Sequence, residues 1–171
     1  MDAAVARSVA RRIHAGQLTR SGEPVIDHVE RVAHSVPACA RPMAYLHDVL
    51  ERADGGAEEL LELGLTDEES SVLALLTRAR NESYRAYVMR IARADGQPGE
   101  IARTIKLADL DDHLRHHRNG SRTPNYAWAR QKLVASQRTN RGTPAATSPS
   151  PSGVTEPSRD GRGPGRSRRS G

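Results

Sequence analysis

The chain has no Phe, one Trp, one Cys, four Tyr and only two Lys among its 171 residues. Each shortage removes a class of protein. A lone cysteine, Cys39, excludes an intrachain disulfide and a zinc site built on cysteines. Its neighbours Val36, Ala38 and Ala40 are apolar, so a buried and inert thiol is expected. No segment approaches the ~18 consecutive apolar residues that a membrane helix requires. The N-terminus has no apolar core of a secretory signal, because Ala3, Ala4 and Val5 run at once into Arg7, Arg11 and Arg12. A soluble, cytoplasmic chain with no membrane partner is the expectation.

Acidic residues are also in deficit, with 21 Asp+Glu against 26 Lys+Arg and a net charge of +5. Such a balance suggests a nucleic-acid partner until the charge is located. Residues 138–171 hold seven Arg and two acids, while residues 1–137 hold nineteen charges of each sign. The whole excess therefore sits in the last stretch, which consists mainly of Gly, Pro, Ser, Thr and Arg. That composition cannot bury enough apolar surface to offset its ordering entropy. Residues 138–171 are expected to be a disordered tail. A short run of charge without aromatics carries little specificity, so weak contact with nucleic acid through the tail is the most it supports.

Residues 1–137 read as helices. Ala4, Val5, Val9 and Ile13 recur at helical spacing, and Gly16 stops them. Val25, Val29, Val32, Ala33 and Val36 form a second stripe ending before Pro37. Pro42 suits the first turn of a third helix, PMAYLHDVLERA, closed by Gly55-Gly56. A short segment, AEELLEL, ends at Gly64. Thr66 with Glu69 makes a capping box before Val72, Leu73, Leu75 and Leu76. SYRAYVMRIARA, EIARTIKLADLDDHLRHH and NYAWARQKLVAS complete the series, with Gly96–Gly99 read as a connecting loop. With no alternating β-branched runs, the expectation is an all-α bundle of about seven helices.

The polar residues within these helices carry the chemistry. His47-Asp48 falls mid-helix among Ala44, Tyr45, Leu46, Val49 and Leu50. Asp disfavours helix interiors, and a carboxylate among apolar residues needs a partner. Glu51 follows at helical spacing, so the three share a face. His28 lies in another helix beside Ile26 and Val29, and Asp109 in a third within IKLADL. Two imidazoles and two carboxylates on three facing helices are the ingredients of a divalent-metal site inside a bundle. Mixed nitrogen and oxygen ligands suit Mn, Fe, Zn or Co better than Ca. Singly, each of these residues is more often a hydrogen-bonded interior group than a ligand; the ordered set is the signal.

The order His, His-Asp, Asp resembles the HD superfamily of metal-dependent phosphohydrolases. HAGQLTRSGEPVIDHVERVA, AYLHDVLE and IKLADLDDHL further resemble successive motifs of the alarmone hydrolases, including the hydrolase domain of RelA/SpoT homologues. Those motifs typically read H-x-G-Q-x-R-K-S-G-E-P-Y-x-x-H-P-x-x-V-A, L-L-H-D-x-x-E-D and K-L-A-D-R-L-x-N. The likeness spans residues 6–116, within an HD-type domain of residues 1–137. It implies that His28, His47, Asp48 and Asp109 hold a divalent metal, with manganese the implied ion. It implies that Glu51 helps to position and activate the attacking water, with Arg52 beside it in the catalytic pair. It also implies that Arg20, Ser21 and Gly22 hold the nucleotide, that Lys106 lies beside the metal aspartate, and that His14 supports the loop.

The departures bear on activity and specificity. Arg52 stands where the family has Asp, replacing a carboxylate by a cation of fixed charge. Arg52 could turn to solvent, bind a substrate phosphate or abolish hydrolysis. Thr19 replaces the Arg that packs on guanine, Val25 a Tyr, and Val29 a Pro. Leu110 and His113 replace the Arg and Asn of the last motif. The implied function is hydrolysis of a phosphorylated nucleotide, guanosine 3′,5′-bis(diphosphate) at its 3′-pyrophosphate or a relative. The alternatives are a catalytically degenerate HD domain that binds metal or nucleotide as a regulatory module, and a nucleic-acid binder acting through its tail.

Overall fold

The computed structural model describes residues 1–19, 21–52, 60, 62–116 and 122–141. Among them the chain is all-helical, apart from one isolated bridge between Leu18 and Pro24. The helices are α1 (Ala3–Ile13), α2 (Val25–His34), α3 (Arg41–Leu46), α4 (Val49–Arg52), α5 (Asp67–Leu76), α6 (Tyr84–Arg93), α7 (Gly96–His116) and α8 (Thr123–Arg141). Segments α3 and α4 are the two halves of one helix interrupted at His47-Asp48, so seven helices are described.

Local chemistry sets most of the boundaries. The Asp2 carboxylate accepts from the N–H groups of Ala4 and Val5 and starts α1. Thr66 and Glu69 form the expected capping box on α5, and Ser83 caps α6. Pro42 lies in the first turn of α3, where its missing N–H costs nothing. Helix α7 starts at Gly96, four residues before the expected Glu100. Gly96 supplies a positive φ of 69°, and Pro98 sits in the first turn, where proline is tolerated. Gly99 lies so close to α6 that a Cβ there would stand 2.3 Å from the Ala94 carbonyl oxygen. The expected Gly-Pro loop is therefore the tightly packed first turn of a helix.

The same apolar periodicity builds one core. Ala6, Val9 and Ala10 of α1, Val29, Val32 and Ala33 of α2, and Ala44 and Leu46 of α3 are buried together with Val72 and Leu76 of α5. Val88 and Ile91 of α6, Ile105 and Leu110 of α7, and Leu133 of α8 complete it. Long helix α7 runs through the assembly and packs against α2, α5, α6 and α8. Arg103 is buried within it and donates to the carbonyls of Ile91 and Ala94, tying α7 to the end of α6. This placement lets residues of α7 face α2 and the α3/α4 break.

Three expectations need amendment. Cys39 is exposed in the turn after α2, because the apolar neighbours that pack inward are Val36 and Ala40, not Ala38 or Cys39. The helix bearing His47-Asp48 is broken at that dipeptide. The last helix runs to Arg141, past Arg138, where the tail was expected to begin; residues 142–171 lie outside the described residues, as do Gly55 and Gly56. No described helix is long and apolar enough to cross a membrane.

Candidate metal centre

Three elements meet around His28. Helix α2 contributes His28, the α3/α4 break contributes His47 and Asp48, and α7 contributes Asp109 and His113. His28, His47 and Asp48 present ligand atoms all within 4.8 Å of one another, and so do His28, Asp109 and His113. The four expected metal residues are therefore brought together, with His28 common to both groups.

The break at His47-Asp48 gives these residues their aim. His47 Nδ1 donates to the Ala44 carbonyl at 2.7 Å, because that carbonyl can only accept. In the neutral ring the other nitrogen, Nε2, is then a bare lone pair. Burial depresses the His47 pKa against the attraction of Asp48 and Asp109, which favours that neutral form. His47 Nε2 is buried, has no hydrogen-bond partner among the described residues, and lies 3.4 Å from Asp48 Oδ1. An orphaned imidazole nitrogen facing a carboxylate fits a cation between them.

His28 has the complementary arrangement. Its Nδ1 contacts Asp112 Oδ2 at 2.7 Å, and its Nε2 lies 3.2 Å from Asp109 Oδ1. Burial alone would lower its pKa; hydrogen bonds to Asp109 and Asp112 outweigh burial and lift it to about 9. Asp112 is in turn gripped by Arg31, with Nε 2.7 Å from Oδ1, and Arg31 also reaches Glu23 at 2.5 Å. A carboxylate behind a ligand histidine fixes its ring and raises its basicity.

Asp109 and Asp48 each have one oxygen held by a cationic side chain. Lys106 Nζ holds Asp109 Oδ2 at 2.6 Å, and Arg52 Nε holds Asp48 Oδ2 at 2.5 Å. Burial opposes ionisation of Asp109, but Lys106, His113 and His28 hold its pKa well below the usual range. Asp48 behaves likewise: neighbouring positive charge, that of Arg52 included, overcomes burial and brings it to about 2. Lys106 also lies 5.2 Å above the Tyr87 ring, and Tyr87 donates to the Leu76 carbonyl.

The remaining expected residues fall around this centre. Glu51, expected on one face with His47 and Asp48, lies in α4, where its N–H meets the Asp48 carbonyl at 3.2 Å. Its Oε1 accepts from the Arg78 N–H at 2.7 Å, and it belongs to neither convergent group. Ser21 and Gly22 lie in the α1–α2 loop. The Thr19 and Ser21 hydroxyls are 2.9 Å apart, and Gly22 has φ 83° with its N–H on the Thr19 carbonyl. Arg20 lies outside the described residues. His14 is buried at the end of α1 with Nδ1 2.9 Å from Gln17 Oε1, and Gln17 reaches the carbonyls of Ile13 and Arg52. Gln17 thus links the end of α1 to α4, with His14 behind it.

Two features escaped the sequence reading. His113, noted only as a departure from Asn, stands 3.1 Å from Asp109 Oδ1 through Nε2 and stacks between His28 and Tyr126. Its i+4 spacing from Asp109 was the available signal. Asp112 and Arg31, the support behind His28, had no local signature, since they meet across two helices. No protein-family model matches the chain, and no curated protein does either.

Proposed function

We propose that residues 1–137 form a metal-dependent phosphohydrolase of the HD type. Its substrate is a phosphorylated nucleotide: guanosine 3′,5′-bis(diphosphate), losing its 3′-pyrophosphate, or a relative. The observation that carries this reading is the convergence of His28, His47, Asp48 and Asp109, with the His47 lone pair aimed inward. These four residues would hold a divalent cation, manganese by the family resemblance. Bound there, it would polarise a phosphoryl oxygen and lower the pKa of a water molecule.

The chain's own groups supply the rest. Lys106 and Arg52 orient Asp109 and Asp48 and keep both ionised. Asp112, backed by Arg31, holds the His28 ring. Ser21, Gly22 and Arg20 form the loop for the nucleotide phosphates; Glu23, bonded to Arg31 at its end, joins that loop to the support of His28. Glu51 remains the acid nearest in sequence for handling the water proton once released from Arg78. The test is a substrate panel of alarmones, nucleotides and simple phosphoesters with Mn²⁺. Release of pyrophosphate or phosphate, abolished in His47→Ala and Asp109→Ala, is expected; no turnover across the panel overturns the reading.

One observation favours a second reading, a degenerate module that binds metal or nucleotide without turnover. Arg52 occupies Asp48 Oδ2 instead of leaving a second carboxylate near the centre. Gain of turnover in Arg52→Asp, from an inactive parent that still binds metal, would favour this regulatory role.

A further inference from the structure

Tyr84 and Tyr87 lie one turn apart on α6, and their hydroxyls differ in what they meet. Tyr87 donates to the Leu76 carbonyl, so its hydroxyl serves the fold. The Tyr84 hydroxyl is buried and has no hydrogen-bond partner among the described residues. A buried polar group in that state costs stability, and most such groups in folded proteins are paired. Phenylalanine would fill the same space without that cost. Departures of this kind from good packing chemistry gather at functional sites.

The surroundings of Tyr84 place it beside the candidate centre. Its ring stands 6.3 Å from that of Tyr87, which lies beneath Lys106, and 6.3 Å from that of Tyr126, which stacks on His113. Lys106 and His113 both contact Asp109. Of the charges acting on the Tyr84 hydroxyl, that of Lys106 is the strongest and that of Asp109 comes next. Burial pushes the phenol up to about 12, so it stays protonated and able to donate through the neutral range. A cation bound beside Asp109 would join Lys106 in making this corner positive. An anionic oxygen is the acceptor that such a corner attracts.

We propose that Tyr84 is a substrate-binding residue whose hydroxyl donates to a phosphate oxygen of the substrate beside Lys106. This rests on the phosphohydrolase reading of the centre and adds a contact to it. The hydroxyl is paired only when phosphate is bound, so its burial destabilises the empty protein and strengthens the complex. A ligand without the phosphate leaves the hydroxyl unpaired, and the residue thereby selects the phosphorylated form.

Tyr84→Phe removes one hydroxyl and keeps the shape of the ring. Calorimetric titration of the Mn²⁺-loaded full chain with inorganic phosphate should show affinity falling about tenfold or more, with Mn²⁺ affinity unchanged. The urea midpoint of the ligand-free chain should stay the same or rise, because no group loses a partner. Tyr87→Phe, which strands the Leu76 carbonyl, should lower that midpoint. In the unaltered chain, loaded with Zn²⁺ and labelled with ¹³C at tyrosine Cζ, phosphate should shift the Tyr84 signal and leave that of Tyr45 in α3, a readout that needs no variant to fold. Phosphate binding equal to the parent's in folded Tyr84→Phe, or a Tyr84 signal that phosphate does not move, overturns the proposal. A fall in midpoint matching that of Tyr87→Phe assigns the hydroxyl a structural partner and also overturns it. A chain that binds a divalent ion but no phosphate overturns the proposal and leaves the metal centre standing. A chain that binds no divalent ion overturns the metal reading and this proposal with it.

Discussion

His28 Nδ1 meets Asp112 Oδ2 at 2.7 Å, and that contact leaves Nε2 as the nitrogen facing Asp109. The pair spans α2 and α7, so a carboxylate on one helix sets the orientation of an imidazole on another. Asp112→Asn keeps an acceptor for Nδ1 but removes the charge that raises the basicity of the ring. Mn²⁺ affinity is expected to fall about tenfold, with the helical content unchanged, as read by calorimetric titration and circular dichroism.

The metal-free chain should lose stability as pH rises. The folded-state pKa of His28, about 9, lies above the ordinary value of 6.5, because its bonds to Asp109 and Asp112 outweigh burial. The stabilisation is then complete below about pH 6.5 and disappears as pH climbs through about 9, a loss on the order of 3 kcal/mol. Melting curves of metal-free protein at pH 6, 7.5 and 9 check this. The melting temperature should fall across the series, and the fall should shrink in His28→Gln.

Arg52 holds Asp48 Oδ2, and its positive charge would repel a cation placed at the centre. The ion pair is partly exposed, with 36% of the Arg52 side chain open to solvent, so it adds little to stability. Arg52→Ala should change the unfolding free energy by no more than about 1 kcal/mol while tightening Mn²⁺ binding several-fold. Denaturant unfolding and metal titration separate the two effects.

The capping box on α5 provides a control away from the centre. Thr66 accepts from the Glu69 N–H, and Glu69 reciprocates on the Thr66 N–H. Thr66→Ala is expected to cost about 1 kcal/mol of stability, read by urea unfolding, without altering metal affinity.

Helix periodicity made the all-α fold legible, because the residues that recur along α1, α2 and α5 are those that pack inward. The capping chemistry at Thr66 was equally direct, since both partners lie within four residues. The break at His47-Asp48 was not legible: apolar residues continue in register on both sides, and the bond of the His47 ring to the Ala44 carbonyl beside the break has no signature in the sequence. The contact between Glu51 and the Arg78 N–H was not legible either, because it joins residues 27 positions apart. The four candidate ligands were legible as an ordered set. The contribution of Asp112 and Arg31 was not, because it arises only when α7 crosses α2.

The central claim is that His28, His47, Asp48 and Asp109 hold one divalent cation. Equilibrium dialysis of the full chain against Mn²⁺, followed by metal analysis, tests it most directly. One Mn²⁺ per chain in the parent and a large loss in both His47→Ala and Asp109→Ala is the result the account expects. No bound Mn²⁺ in the parent, or equal retention in folded His47→Ala and Asp109→Ala, would contradict it.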